Sequence, residues 1–146
     1  MNSDDGSLSE TASLNDVDWL VELRIETMDG YLRESGEVLS PADQHARVVQ
    51  DFDSIRILVV EGEDAGMIKT VKHEDRWHLV QIQVQPAQQG KGIGARVIEQ
   101  LINEARAATV PVLLSVLKVN PAKRLYERLG FQVVEERDKS YRMRIV

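Results

Sequence analysis

The chain has 146 residues, 42% of them hydrophobic, which suits a single domain with a buried core rather than a disordered or fibrous chain. It contains no cysteine, which excludes a disulfide framework and a thiolate metal site, and no apolar run approaches the ~20 residues of a membrane-spanning helix. The formal net charge of −6 argues against broad nucleic-acid binding and is mildly compatible with a cationic partner.

Residues 1–7 are acidic, polar and without period, and read as a mobile tail on one domain spanning 1–146. They do not resemble a signal or transit peptide, so a cytoplasmic location is expected. Residues 8–12 suggest a short strand. A helix follows over about 15–33, with Asn15 as its cap, Asp16 and Asp18 at its positive end, and Leu20, Leu23, Met28 and Leu32 on its apolar side. Ser40, Pro41 and Asp43 combine a cap, a first-turn proline and an acid three residues after the cap, and start a second helix expected to reach Phe52. Residues 55–61 and 65–71 read as strands joined by a turn at Gly62-Glu63-Asp64, and His73-Glu74-Asp75 turns into a strand over 77–85. The run 111–117 is continuously apolar, as in a strand buried on both faces. Asn120 and Pro121 open a last helix with Ala122, Leu125, Tyr126 and Leu129 on its inner face, and Gly130 stops it. Residues 131–134 and 141–145 alternate as two final strands. The order β-α-α-β-β-β-α-β-α-β-β points to an α/β fold with a mixed sheet covered by helices.

The most informative stretch is residues 79–105. Leu79, Val80, Ile82 and Val84 read as a strand ended by Pro86, Gly90, Gly92 and Gly94 recur at every second position, and Ile93, Val97, Ile98, Leu101, Ile102 and Ala105 then follow helical spacing. Glycines let the backbone approach a ligand, and the first amides of a helix are unpaired and lie at the positive end of its dipole. Such a turn seats a phosphate or diphosphate. The P-loop pattern fails, because Gln85 stands where its first glycine is required and Gly92 follows Lys91. Gly90, Gly92 and Ala95 fit the dinucleotide pattern, but no acid lies about 20 positions on to hold a ribose.

A third reading fits best. Gln89-Gly90-Lys91-Gly92-Ile93-Gly94 matches Q/R-x-x-G-x-G/A and resembles the acyl-CoA loop of the GNAT superfamily of N-acetyltransferases. Asn120, followed by Ala122, Tyr126, Gly130 and Phe131, resembles that family's second signature. The resemblance implies a central, mostly antiparallel mixed sheet of six to seven strands with four helices. It implies acetyl-CoA as co-substrate, no metal, and direct transfer to a primary amine of a small molecule or peptide. No nucleic-acid or membrane partner is expected, and a homodimer stays open.

By that resemblance, Gln89, Gly90, Lys91, Gly92, Ile93, Gly94 and Ala95 seat the diphosphate of the co-substrate, with charge from Lys91 and Arg96. The family's strand before the loop splays from the strand after the central helix, so Ile82, Gln83 and Val84 are expected to bond the pantetheine arm like an added strand. Asn120 reads as a helix cap and as a polar contact to that arm, and Lys123 is placed with the cofactor-binding residues. Tyr126 is expected beside the sulfur as proton donor: a phenol with pKa of about 10 stays protonated at pH 7, whereas a thiol leaves as thiolate near about 8.5. Many relatives carry a glutamate where this chain has Gln81, which is no base. Glu22, Glu26, His78 and a water chain remain as substitutes, and regular strand alternation puts His78 and Gln81 on opposite faces. Arg24, Glu26, Tyr31 and Trp77 are candidate acceptor walls, where arginines favour an acidic acceptor and carboxylates a cationic one. Two rivals stand: a module that binds CoA without catalysis, and a nucleotide-binding enzyme using Gly90, Gly92 and Ala95.

Overall fold

The computed structural model describes residues 7–146; of the anticipated tail, residues 1–6 lie outside the described residues. The chain runs β1 (Ser7–Thr11), α1 (Val17–Glu34), α2 (Pro41–Val49), β2 (Ile55–Val60), β3 (Glu63–Lys72), β4 (Trp77–Val84), α3 (Ile93–Ala107), β5 (Val112–Leu117), α4 (Ala122–Leu129), β6 (Gln132–Glu136) and β7 (Ser140–Ile145). Short 3-10 turns cover Leu14–Asp16, Phe52–Ser54 and Pro86–Gln88. Among the described residues the strands form one seven-stranded sheet in the order β1-β2-β3-β4-β5-β7-β6. Every neighbouring pair is antiparallel except β4 and β5, which α3 joins as a crossover. This is the mixed, mostly antiparallel sheet with four helices that the sequence led us to expect. No described helix is long and apolar enough to cross a membrane.

The helices cover both faces. On one, Ile93, Val97, Ile98, Leu101, Ile102 and Ala105 of α3 bury their stripe against Leu58, Ile68, Leu79, Leu114 and Met143, and Tyr126 of α4 joins the same cluster. Each large aliphatic side chain buried there contributes about 1.5–3 kcal/mol. On the other face, Leu20 and Leu23 of α1 and Val48 of α2 pack on Ile55, Ile57 and Met67.

Four expectations shift. The cap ahead of α1 is Ser13 rather than Asn15: it opens the 3-10 turn that leads into the helix, its N–H donating to the Asp16 carboxylate at 2.8 Å, and Asn15 falls inside that turn. Helix α2 keeps its predicted start, with Ser40 Oγ accepting from Asp43 N at 3.1 Å, but ends at Val49 instead of Phe52. Lys69 of β3 caps its last carbonyls, donating to Arg47 O at 2.9 Å, Val48 O at 3.1 Å and also to Gln50 O, after which Asp51 turns left-handed with φ of 53°. The β2–β3 turn is Glu61-Gly62, both at positive φ (51° and 80°), a two-residue hairpin closed by the Val60–Glu63 pair. Finally, β5 is buried on one face only. Val112, Leu114 and Val116 are buried on the α3 side, whereas on the other side Leu113 and Leu117 are half-buried and Ser115 is exposed.

Candidate functional site

The parallel pairing of β4 and β5 is confined to Trp77–Val112 and His78–Leu113. Beyond it β5 keeps to β7 along its full length, so the two strands diverge and the far half of β4 has a free edge. Gln85 N donates to Ala65 O of β3 at 2.8 Å. By the alternation of an antiparallel ladder, Gln83 therefore also faces β3, while the main chains of Ile82 and Val84 face the gap. The Val84 carbonyl accepts from Gln89 Nε2 at 2.9 Å, which ties the loop to that edge. Of the three residues expected at the slot, Ile82 and Val84 present their backbone to it. Gln83 instead sends its side chain to the α1–α2 side of the sheet.

The glycine loop lies at the open end of the gap. Gly90 and Gly92 hold φ of 81° and 77°, conformations that glycine adopts freely. Gly94 is different: it is helical, and a Cβ built there meets nothing within 4 Å. Neither φ nor a protein neighbour requires glycine there, so the space beside Gly94 is open. The amides of Gly90, Lys91, Gly92, Ile93, Gly94 and Ala95 donate to no described residue; the next, Arg96 N, bonds Gly92 O at 3.1 Å. Six consecutive free donors at a helix start are an arrangement that can hold an anion. Lys91 Nζ lies 3.2 Å from Gln88 Oε1, and Arg96 Nη1 donates to Lys91 O at 3.3 Å, so both cations stay at the loop. Asn120 Oδ1 accepts from Ala122 N at 2.9 Å and caps α4. Lys123 pairs with Glu127 at 3.2 Å and lies 4.6 Å from the Tyr141 ring centroid.

Tyr126 is buried in the cluster that also holds Ile82 and Val84 of β4 and Val116 of β5, the residues flanking the gap. Its ring meets Phe131 edge-on, with centroids 5.9 Å apart. Its hydroxyl bonds no described residue, and burial pushes its pKa up to about 12.

On the opposite face, between α1, the end of α2 and β4, lies a cleft of about 510 Å³. The expectation that His78 and Gln81 point apart is wrong: both line this cleft. Lys69 pairs with Gln81 but Thr70 with Leu79, so Val80 is an extra residue, a bulge that resets the alternation. Gln81 is 9% exposed, and its buried Oε1 has no partner. Burial lowers the His78 pKa, helped by Arg142, His73 and Arg76, so its imidazole is neutral at pH 7. Lys69, 1% exposed, is lowered to about 8 by burial, which Asp51 partly offsets.

Of the acceptor-wall candidates, Arg24 alone lines this cleft. Trp77 faces the α3 side, beneath Lys72 at 4.3 Å. Glu22 and Glu26 line a separate recess with Trp19 and Gln85, and half-buried Tyr31 lines neither. Sequence reasoning missed Lys69, Arg47 and Leu117 as lining residues. Lys69 carried a usable signal, because it takes the inward position between Met67 and Val71.

A family model described as acetyltransferase (GNAT) domain matches residues 53–133. No curated protein matches the chain. Among solved structures, the PaiA N-acetyltransferase of Thermoplasma acidophilum in complex with coenzyme A superposes with a TM-score of 0.71 at 14% identity, over 94% of this chain and 98% of that one. An N-acetyltransferase from Staphylococcus aureus gives a TM-score of 0.71 at 15% identity, over 93% and 98%. An aminoglycoside 6′-N-acetyltransferase complexed with coenzyme A gives 0.67 at 16%, over 95% and 94%. At such identities the likeness to these three concerns the fold.

Proposed function

Because the chain belongs to the GNAT acetyltransferase family, we propose that it transfers an acetyl group from acetyl-CoA directly to the primary amine of a small molecule or peptide. The observation that carries this reading is the combination of a free β4 edge with six unpaired amides at its end. These groups fit the co-substrate: the amides of residues 90–95 suit a diphosphate, and the main chains of Ile82 and Val84 suit the amide-bearing arm. Lys91 and Arg96 add positive charge at the seat. Asn120 caps α4 and so fixes Tyr126 in the cluster at the gap.

Acetyl-CoA supplies an activated thioester carbonyl. The chain's residues supply position, a hydrogen-bond donor and a proton acceptor. Tyr126 keeps its proton throughout the physiological range, because burial disfavours the phenolate. Its unpartnered hydroxyl is free to donate to a sulfur as negative charge builds there. A phenol of this kind is a weaker acid than a thiol, so it stabilises the departing thiolate as a hydrogen-bond donor and keeps its own proton. On the cleft side, neutral His78 can take a proton from the bound ammonium, directly or through water at Gln81, so that the free amine attacks the thioester carbonyl. No cysteine is available to carry the acyl group.

Gln81, in place of an acid, favours one second reading: a module that binds CoA without turning it over. One experiment separates the two. Calorimetry with CoA reads the seat, and thiol release from acetyl-CoA across a panel of amines reads turnover. Binding with turnover supports the transferase, binding without turnover supports the module, and no binding removes both.

A further inference from the structure

The cleft between α1 and β4 differs in charge from the chain as a whole. The protein carries a net charge of −6, yet the best-buried charged groups lining this cleft are cations. Arg24 is 5% exposed, and a buried guanidinium is costly unless its N–H groups are satisfied. The protein satisfies one: Arg24 Nε donates to Gln44 Oε1 at 2.8 Å. Gln44 is itself 1% exposed, so this bond fixes the direction of the fork. Arg24 lines the cleft, and its two terminal nitrogens donate to no described residue. Two exposed carboxylates, Glu37 and Asp51, also line the cleft; Glu37 pairs with Arg47 at 3.1 Å and neither bonds Arg24, while Lys69 spends its ammonium on the carbonyls that end α2. Arg142 of β7, beside His78, is paired with no described carboxylate and adds to the positive field.

An oriented, desolvated guanidinium whose terminal N–H groups have no partner among the described residues is a receptor for a carboxylate, which it meets with two parallel N–H bonds. The same cleft is lined by His78, at the last β4–β5 pair before the strands part, and by Leu117 of β5. We propose that the acceptor is a small amino-carboxylate, its carboxylate held by the free end of the Arg24 fork and its amine directed to the β4–β5 gap. The inference rests on the acetyl-transfer reading and names its substrate class. A cleft of about 510 Å³ suits a molecule of amino-acid size. A polyamine would set ammonium groups against Arg24 and Arg142 and is disfavoured.

The test uses the full chain with acetyl-CoA and matched pairs of acceptors: free α-amino acids, β-alanine and 4-aminobutyrate, each against its primary amide, with spermidine as a polycation. The carboxylates should exceed their amides in kcat/KM by at least about tenfold, the scale of charge-assisted hydrogen bonds to a carboxylate. Arg24→Gln should remove that preference through KM, with kcat and CoA affinity retained. Arg24→Lys, which keeps the charge and loses the fork, should fall between. Equal use of acids and amides, or preference for amides or spermidine, overturns the proposal. The wild-type ratio decides even where the Arg24 variants fail to fold. If no amine is acetylated, the transfer reading falls, and calorimetry of the same pairs on the CoA-loaded protein still decides the carboxylate claim: amino acids binding above their amides uphold it, and no difference, or no binding, overturns it.

Discussion

Gly94→Glu separates ligand-binding glycine from structural glycine, because the two roles predict opposite signs. Gly94 is the second residue of α3, its φ is helical, and an added Cβ meets nothing within 4 Å. Replacing glycine there with a better helix former gains about 0.5–1 kcal/mol. A carboxylate in the first turn adds about 0.3–1 kcal/mol through the helix dipole. The free protein should therefore be more stable by about 1 kcal/mol, a rise in Tm of about 2–5 °C for a domain of this size. The same carboxylate stands among the six free amides. Two unit charges about 4–5 Å apart at an effective dielectric near 20 repel by about 3–4 kcal/mol, so CoA affinity should fall at least about a hundredfold. Thermal melts and calorimetry read the two effects on one sample. Unchanged CoA affinity in a stabilised variant would refute the assignment of the loop. A fall in Tm would refute the claim that the protein leaves that position empty.

Further outcomes follow from the same geometry. Tyr126→Phe removes a hydroxyl that bonds no described residue, so stability and CoA affinity should hold while turnover falls about tenfold or more; a steady-state assay showing wild-type kcat would remove Tyr126 from the chemistry. Lys69→Met uncovers the carbonyls that end α2 and should cost about 2–4 kcal/mol in denaturant unfolding, and an unchanged midpoint would mean that the cap is idle. The Lys69 pKa is lower in the fold, about 8, than the ordinary 10.5. Above pH 8 the folded protein has released a proton that the unfolded chain still holds, so this group adds stability as pH rises from about 8 to 10.5. The stability of wild type over Lys69→Met should therefore widen between pH 7 and pH 9.5, by about 2 kcal/mol at most; a narrowing gap would contradict the buried-cation reading.

The local signals that survived are those carried by neighbouring residues. The strand, the glycine turn and the stripe of α3 lie within 27 consecutive residues, and each obeys a short-range rule. The same holds for Ser40 with Asp43 and for Asn120 with Ala122, whose caps need only three or four residues. The features that escaped depend on distant partners. The end of α2 is set by Lys69, about twenty positions on in sequence, so no pattern inside α2 marks it. The bulge at Val80 exists because β3 and β4 pair out of step there, and one inserted residue reverses every facing beyond it. That reversal brings His78 and Gln81 together, against strict alternation. Trp77 was misjudged for a related reason: an aromatic at a strand start carries no sign of which face it takes. The gap itself, the most consequential feature, appears only in the register of two strands separated by a helix.

The claim on which the rest depends is that the main chain of residues 90–95 grips the diphosphate of coenzyme A. Amide spectra of the 15N-labelled protein during titration with CoA address it directly. The largest shifts should fall on Gly90 through Ala95, with a second set at Ile82 and Val84. Saturating CoA binding that leaves those amides unmoved, with the shifts clustered elsewhere, would contradict it.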